Sequence, residues 1–494
     1  MADAIATTSS GRVRGIGDGR VRRFLGIPYA ASPTGERRFA LPVSHPAWDG
    51  IRDATAPGAT APHRVKDFPG LDVSPLIGTG WVRGDDYLAA NVFTPDDAGT
   101  GRPVMVWIHG GGFVIGSKDA AIQDCATFAR DGIVCFAINY RLGVDGFLPI
   151  PGIPTNLGLR DMIAALHWVQ ANAAAFGGDP NNVTVFGESA GAMAIADLIA
   201  SPLAKGLFRR AIIQSGHAAM TRSIPVMQRL VRKLAKLLRI TPDKAGFMSV
   251  DQEATLDAVD KVSQPTARID LRDADGHEPV FGISRFVPVH GDDVLPLQPL
   301  EALKRGAGAE IDVLIGTNAE EMNLYLVPTG VRDKVGGLFA TFILSRSQPR
   351  ARKALKAYGL GQAGKKAGQA LLDATNDLVF RWPARRFAEE HQGRTHMYEF
   401  DWRSPAFGGE LGACHGMELP FTFDSLACAT GPQGLAGEAP PQALADRVHR
   451  IWVDFARDGS LPWDAFDRES RKVFSLLDGK ALREEPMAAQ GFLP

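Results

Sequence analysis

Val183-Thr184-Val185-Phe186-Gly187-Glu188-Ser189-Ala190-Gly191, continued by the small-residue run to Ile199, is the stretch that decides how this chain is read. The apolar, β-branched half predicts a strand and the alanine-rich half predicts a helix. Between them only a tight turn fits, with a serine flanked by glycines. Such a turn strains the serine backbone and lifts its hydroxyl clear of the sheet, while the helix N-terminus behind it favours developing negative charge. Gly-x-Ser-x-Gly by itself is weak evidence, because 54 of the 494 residues are glycine. The strand before it and the helix after it carry the argument. The plain alternative is a strand-to-helix turn with a capping serine.

Outward from this stretch the same pattern recurs. Val104–Ile108, Ile133–Ile138, Ala211–Ile213 and Val313–Ile315 are short continuous apolar runs, which suit parallel strands covered on both faces. Asn156–Phe176 carries Leu159, Ile163, Leu166, Trp168 and Val169 on one stripe and stops at Gly177-Gly178 and Pro180, so it predicts a helix. The alternation predicts an α/β fold in one domain over residues 1–494, with a central, mostly parallel sheet flanked by helices. Gly11–Gly15 and Val21–Leu25 predict short antiparallel strands at the sheet edge. Met227–Ile240 predicts a basic amphipathic helix with Leu230, Val231, Leu234, Leu237 and Leu238 on its apolar face; a packed face is the commoner reading than a calmodulin-target or membrane-surface helix.

Composition narrows the function classes. A formal net charge of -1 creates no global field for nucleic acid or an acidic membrane. The cysteines at 125, 135, 414 and 428 form no Cys-x-x-Cys pair, which excludes a zinc-ribbon or thioredoxin site and a disulfide scaffold. The first residues lack a basic segment followed by an apolar run, and the longest apolar candidate, Leu338–Leu344, is far short of a membrane span. The expectation is a cytoplasmic protein without a membrane or nucleic-acid partner.

An activated serine needs electrophilic donors, a base and an acid. His109-Gly110-Gly111-Gly112-Phe113 follows the strand Val104–Ile108 and exposes backbone N–H groups. Gly111 and Gly112 are the expected oxyanion donors, with Ala190, the residue after the serine, as the third. No Gly-Lys-Ser/Thr follows, so a phosphate loop is excluded. His109 reads as a residue orienting this loop. Beyond Ser189, His391, His396, His415 and His449 could serve as base. His415 is the best candidate, because Gly412-Ala413-Cys414-His415-Gly416 is a loop of small residues that frees the ring to turn. Cys414 beside it predicts sensitivity to thiol reagents. For the acid, the loop after Asp312–Ile315 offers Glu320 and Glu321, with Asp292 and Asp293 as rivals.

These residues resemble the carboxylesterase type B family, which includes cholinesterases and bacterial p-nitrobenzyl esterases. Phe24–Ala30, Arg38-Phe39, Trp107–Phe113, Asn139–Gly143, Asn156–Asp161, Phe176–Pro180 and Phe186–Gly191 follow in the family order, most densely from 104 to 216. The resemblance implies an α/β-hydrolase fold with helical insertions forming the pocket. It implies a Ser189–Glu321–His415 triad, with Glu320 as the acidic neighbour. Ser215 and Glu188 fall in positions that support the triad, and Arg38 and Asp85 in a structural ion pair. Gly84-Asp85-Asp86-Tyr87-Leu88 lacks the cysteine of the family's N-terminal disulfide motif, and Met322 replaces the usual glycine after the triad acid. The implied function is hydrolysis of a small-molecule carboxylic ester through an acyl-enzyme, without metal or organic cofactor, by a monomer or homodimer. The same triad serves amides, carbamates and thioesters, and the family has noncatalytic adhesion members that typically lack the serine. The pocket is expected from segments 65–82, 217–300, 325–350 and 402–412.

Overall fold

Alternate residues of each central strand feed opposite layers of the core, which is why the apolar runs are continuous. In the computed structural model, which describes residues 2–97, 99–264, 267–278, 283–488 and 490–492, Val104, Val106 and Ile108 join one apolar cluster and Met105 and Trp107 another. Ala211 and Ile213 likewise face one layer while Ile212 faces the other. The helices Leu157–Asn172 and Ala190–Ala200 cover the first face. Gln442–Asp458, with Trp452 and Phe455 buried, covers the second.

The strands are β1 (Ala2–Thr8), β2 (Gly11–Gly17), β3 (Val21–Pro28), β4 (Ile51–Asp53), β5 (Ala89–Pro95), β6 (Arg102–Ile108), β7 (Val134–Ile138), β8 (Gly178–Glu188), β9 (Arg210–Gln214), β10 (Arg222–Ser223), β11 (Val289–His290), β12 (Asp312–Asn318), β13 (Thr395–Phe400), β14 (Lys472–Ser475) and β15 (Lys480–Arg483). The main sheet runs β1-β2-β3-β5-β7-β6-β8-β9-β12-β13-β14-β15, with β4 beside β2. From β7 to β14 every neighbouring pair is parallel, and the antiparallel pairs lie towards the two ends, as expected of the N-terminal strands.

The irregular middle of the sequence is helical in pieces. The basic helix spans Ile224–Leu238, and its Leu230, Val231 and Leu234 are buried in the first core; Leu237 lies outside it, exposed. Helices Gly337–Ser345, Ala351–Ala357 and Ala367–Asn376 pack around a small core of their own. Among the described residues no helix is long and apolar enough to cross a membrane.

Two buried ion pairs lock the segments beneath the site. Arg141 and Asp161, each at most 1% exposed, meet at 2.7 and 2.8 Å, and Arg141 also donates to the Ala40 carbonyl. Arg38 corrects the sequence reading: its partner is Asp145 at 2.9 Å, not Asp85. Asp145 is buried in the short helix Gly143–Phe147, whereas Asp85 is exposed, so only Asp145 can neutralise a buried guanidinium. Asp161→Asn leaves Arg141 buried without its counter-charge and is expected to cost about 3–5 kcal/mol. A thermal melt checks this: a midpoint within about 1 °C of the parent's would contradict it.

Candidate active site

Parallel register brings the C-terminal ends of the central strands to one edge. Ile108 is paired with Gly187, Glu188 with Gln214, and Gln214 with Gly316. The glycine loop after β6, Ser189 after β8 and Glu321 after β12, with β9 between the last two strands, therefore meet at one edge, where ligands bind in open α/β sheets. Ser189 has φ 53° and ψ -122°, the strained conformation expected of the tight turn. Gly187 and Gly191 are required there, since a Cβ on either would meet the Ile108 carbonyl oxygen at 2.7 and 2.0 Å.

The structure brings Ser189, His415 and Glu321 into one hydrogen-bonded line. Ser189 Oγ lies 2.8 Å from His415 Nε2, and His415 Nδ1 lies 2.6 Å from Glu321 Oε2. Glu321 is fully buried, and its Oε1 accepts the Asn318 N–H at 2.8 Å. Glu320 takes a different place. Its carboxylate accepts the Ala413 N–H at 3.0 Å and pairs with Arg403, so it holds the backbone of the histidine loop rather than the ring. Phe380 and Tyr325 flank the imidazole at ring-centre distances of 4.7 and 5.7 Å. The other histidines lie elsewhere. His391 is bonded to Thr395 and the Gly308 carbonyl, His449 to Asp131 and the Thr422 carbonyl, and His396 sits within β13. Asp292 is bonded to Thr155 and Asn156, and Asp293 pairs with Arg160.

Ser215 departs from the expected support. Its Oγ is buried without a hydrogen-bond partner among the described residues. Glu188 and Glu418 surround the ring instead. Glu188 Oε1 sits 3.0 Å from His415 Nε2 without forming a hydrogen bond, and Glu418 accepts from Asn318 Nδ2 and Gln214 Nε2. Glu418 carries no motif of its own; only its nearness to His415 in sequence could have marked it. Burial and mutual repulsion push both carboxyls well above the usual carboxylate range. Burial opposes a charge on His415, but the carboxylates of Glu188, Glu321 and Glu418 outweigh it and raise its pKa to about 9.

The glycine loop presses against Ser189: a Cβ on Gly110 would lie 3.2 Å from Ser189 Cβ. His109 stacks on Tyr140, and its Nδ1 donates to the Gly110 carbonyl, the orienting role expected of it. Burial lowers its pKa to about 3, so the ring stays neutral. Ser189, His415 and the loop line a cavity of about 310 Å³. Its remaining wall comes from residues 64–77, from Leu256–Ser263 and Ile283, and from Leu324 and Tyr325. Of the expected segment 325–350 only Tyr325 lines it, and none of 402–412 does; much of 335–350 belongs to the separate helical core. Cys414 is fully buried and burial raises its pKa, so the expected reactivity to thiol reagents has no route.

A mostly parallel sheet with a strained serine turn at its carboxyl edge defines an α/β-hydrolase. Residues 2–490 match the model of the carboxylesterase family, and the chain belongs to that family. It is 34% identical over 504 residues to the para-nitrobenzyl esterase of Bacillus subtilis (strain 168), covering 98% of this chain and 97% of that one. It is 34% identical over 497 residues to a phenmedipham hydrolase of Pseudarthrobacter oxydans, covering 96% and 95%. A solved PNB esterase structure matches with a TM-score of 0.83 at 32% identity over 100% of both chains.

The electrostatics of the site give a titration test. In Glu188→Gln one of the carboxylates that favour imidazolium is gone, so the His415 pKa is expected to fall by about one unit. Histidine side-chain NMR across pH 6 to 10 would read it, and an unchanged midpoint would contradict the assignment of cause.

Proposed function

We propose that this chain hydrolyses carboxylic esters by acyl transfer, with Ser189 as nucleophile, His415 as general base and Glu321 as the acid that orients and stabilises the imidazolium. The observation that carries the reading is the line of hydrogen bonds from Ser189 Oγ through both ring nitrogens of His415 to a fully buried carboxylate. His415 takes the serine proton as Oγ attacks the ester carbonyl. The N–H groups of Gly111, Gly112 and Ala190 receive the oxyanion; none of the three is paired with a backbone acceptor among the described residues. His415 then returns the proton to the departing alcohol, and water repeats the sequence on the acyl-enzyme.

The cavity supports uncharged, apolar esters as substrates. Phe68, Val73, Leu76, Val114, Leu256, Val259 and Leu324 line it. The charges at its rim are spent on one another, Arg64 on Glu253, Asp257 and Asp260, and Lys66 on Asp260. The four free cysteines support a cytoplasmic location, and the whole chain acting as one catalytic unit, monomeric or homodimeric, completes the reading. Ser189→Ala is expected to lower hydrolysis of short p-nitrophenyl esters by about 10³-fold or more and to abolish stoichiometric labelling by an organophosphonate. Retained hydrolysis would exclude Ser189 as nucleophile.

A further inference from the structure

Three successive glycines let the 109–113 loop approach Ser189, and they leave the loop with little intrinsic preference for one conformation. What orients each peptide is legible from its carbonyl, because the C=O of one residue and the N–H of the next share a plane. The Gly110 carbonyl accepts from His109 Nδ1 at 2.9 Å, which sets the N–H of Gly111. The Gly111 carbonyl accepts the N–H groups of Val114 and Ile115, both at 3.1 Å, which sets the N–H of Gly112. The Phe113 carbonyl accepts from the Gly143 N–H at 2.7 Å. The plane between Gly112 and Phe113 is held from outside the loop. Ser284 Oγ lies 2.7 Å from the Gly112 carbonyl oxygen, across 172 residues of chain.

That plane is the one under strain. Gly112 has φ 61° and Phe113 φ 63°, and a left-handed conformation is unfavourable for phenylalanine. Rotating that peptide would let Phe113 relax, but it would turn the Gly112 carbonyl away from Ser284 and disturb the turn that Val114 and Ile115 close on the Gly111 carbonyl. The Ser284 bond opposes that rotation. Ser284 is itself anchored: it is buried, its Oγ accepts the Phe286 N–H at 3.2 Å, and its carbonyl accepts from Arg222 Nη2 at 3.0 Å. Arg222 is tied in turn to Glu278 at 2.6 Å, and it opens β10, which pairs with β11. Ser284 Oγ has one proton for two carbonyls, Gly112 at 2.7 Å and Phe286 at 2.8 Å, so the hydroxyl also closes its own turn.

We propose that Ser284 is a positioning residue of the oxyanion loop, holding the Gly112–Phe113 peptide in its strained orientation so that the turn whose Gly111 carbonyl aims the Gly112 N–H keeps its shape. This rests on the acyl-transfer reading of Ser189 and the glycine loop. Ser284 touches neither the nucleophile nor the base; it acts through Gly112.

The test compares the parent, Ser284→Ala and Ser284→Thr on a short p-nitrophenyl ester, with active sites titrated by an organophosphonate. Two inhibitors are added: a trifluoromethyl ketone, which accepts the serine oxygen and forms a tetrahedral oxyanion, and its unfluorinated counterpart, which binds without that step. The alanine variant is expected to lose about tenfold in kcat with KM within about twofold, and to weaken the trifluoromethyl ketone by the same factor. The unfluorinated ketone binds unchanged, the melting midpoint falls by a few degrees as buried hydrogen bonds are lost, and threonine, which keeps the hydroxyl, restores most of both losses. Full kcat and undiminished trifluoromethyl ketone affinity in the alanine variant would overturn the role. Equal weakening of both ketones would also overturn it, since that marks a change of pocket shape. If the parent is not labelled by the phosphonate, the acyl-transfer reading falls and the role of Ser284 falls with it.

Discussion

A 2.6 Å hydrogen bond joins Glu321 to His415 across 94 residues of chain, and the rest of the molecule is arranged so that it can exist. An isolated carboxylate at zero exposure would be costly to ionise. Here the Asn318 N–H and the imidazole satisfy it, and the parallel register of β8, β9 and β12 brings the Glu321 loop to the same edge as Ser189. The histidine loop has no strand of its own at the site. It is held by Glu320 on Ala413, by Asn318 on the Cys414 carbonyl, and by the Glu321 carbonyl on the His415 N–H. The ring is thus aimed by backbone clamps, and the catalytic pair is left free to exchange a proton.

Three buried carboxylates around one imidazole are more than a triad needs. Glu188 and Glu418 favour the charged ring, and burial keeps their own pKa values high. The consequence is a site whose proton inventory is shared, with the charged ring favoured by neighbours as well as by Glu321. A pKa of about 9 keeps much of the ring charged at neutral pH, so in the proposed mechanism the base is fully free only towards alkaline pH.

Much of this was legible in the sequence, for identifiable reasons. The strands β6, β7, β8, β9 and β12 announced themselves because they are buried on both faces and so read as unbroken apolar runs. The turn at Ser189 was legible because only glycine tolerates its neighbours' backbones. His415 stood out from its rivals by the small residues around it. Glu321 and Glu320 could not be separated from residue types alone: they are adjacent acids, and only the path of the loop sends one to the ring and the other to Ala413. Arg38 was matched with Asp85 by resemblance, whereas burial assigns it to Asp145. The bond from Ser284 to Gly112 left no trace in either segment, because it depends on two loops meeting in space. Segments 65–82 and 217–300 contribute to the pocket as expected, 325–350 contributes only Tyr325 and 402–412 nothing, because no sequence pattern says which side of a loop faces the cavity.

In the proposed mechanism Ser189 carries the acyl group while the glycine loop and Ala190 receive its oxyanion. A crystal structure of the phosphonylated protein tests it most directly. The account requires a covalent bond from phosphorus to Ser189 Oγ, and the phosphoryl oxygen within about 3 Å of the N–H groups of Gly111, Gly112 and Ala190. An adduct on another residue, or a phosphoryl oxygen turned away from those three groups, would contradict it.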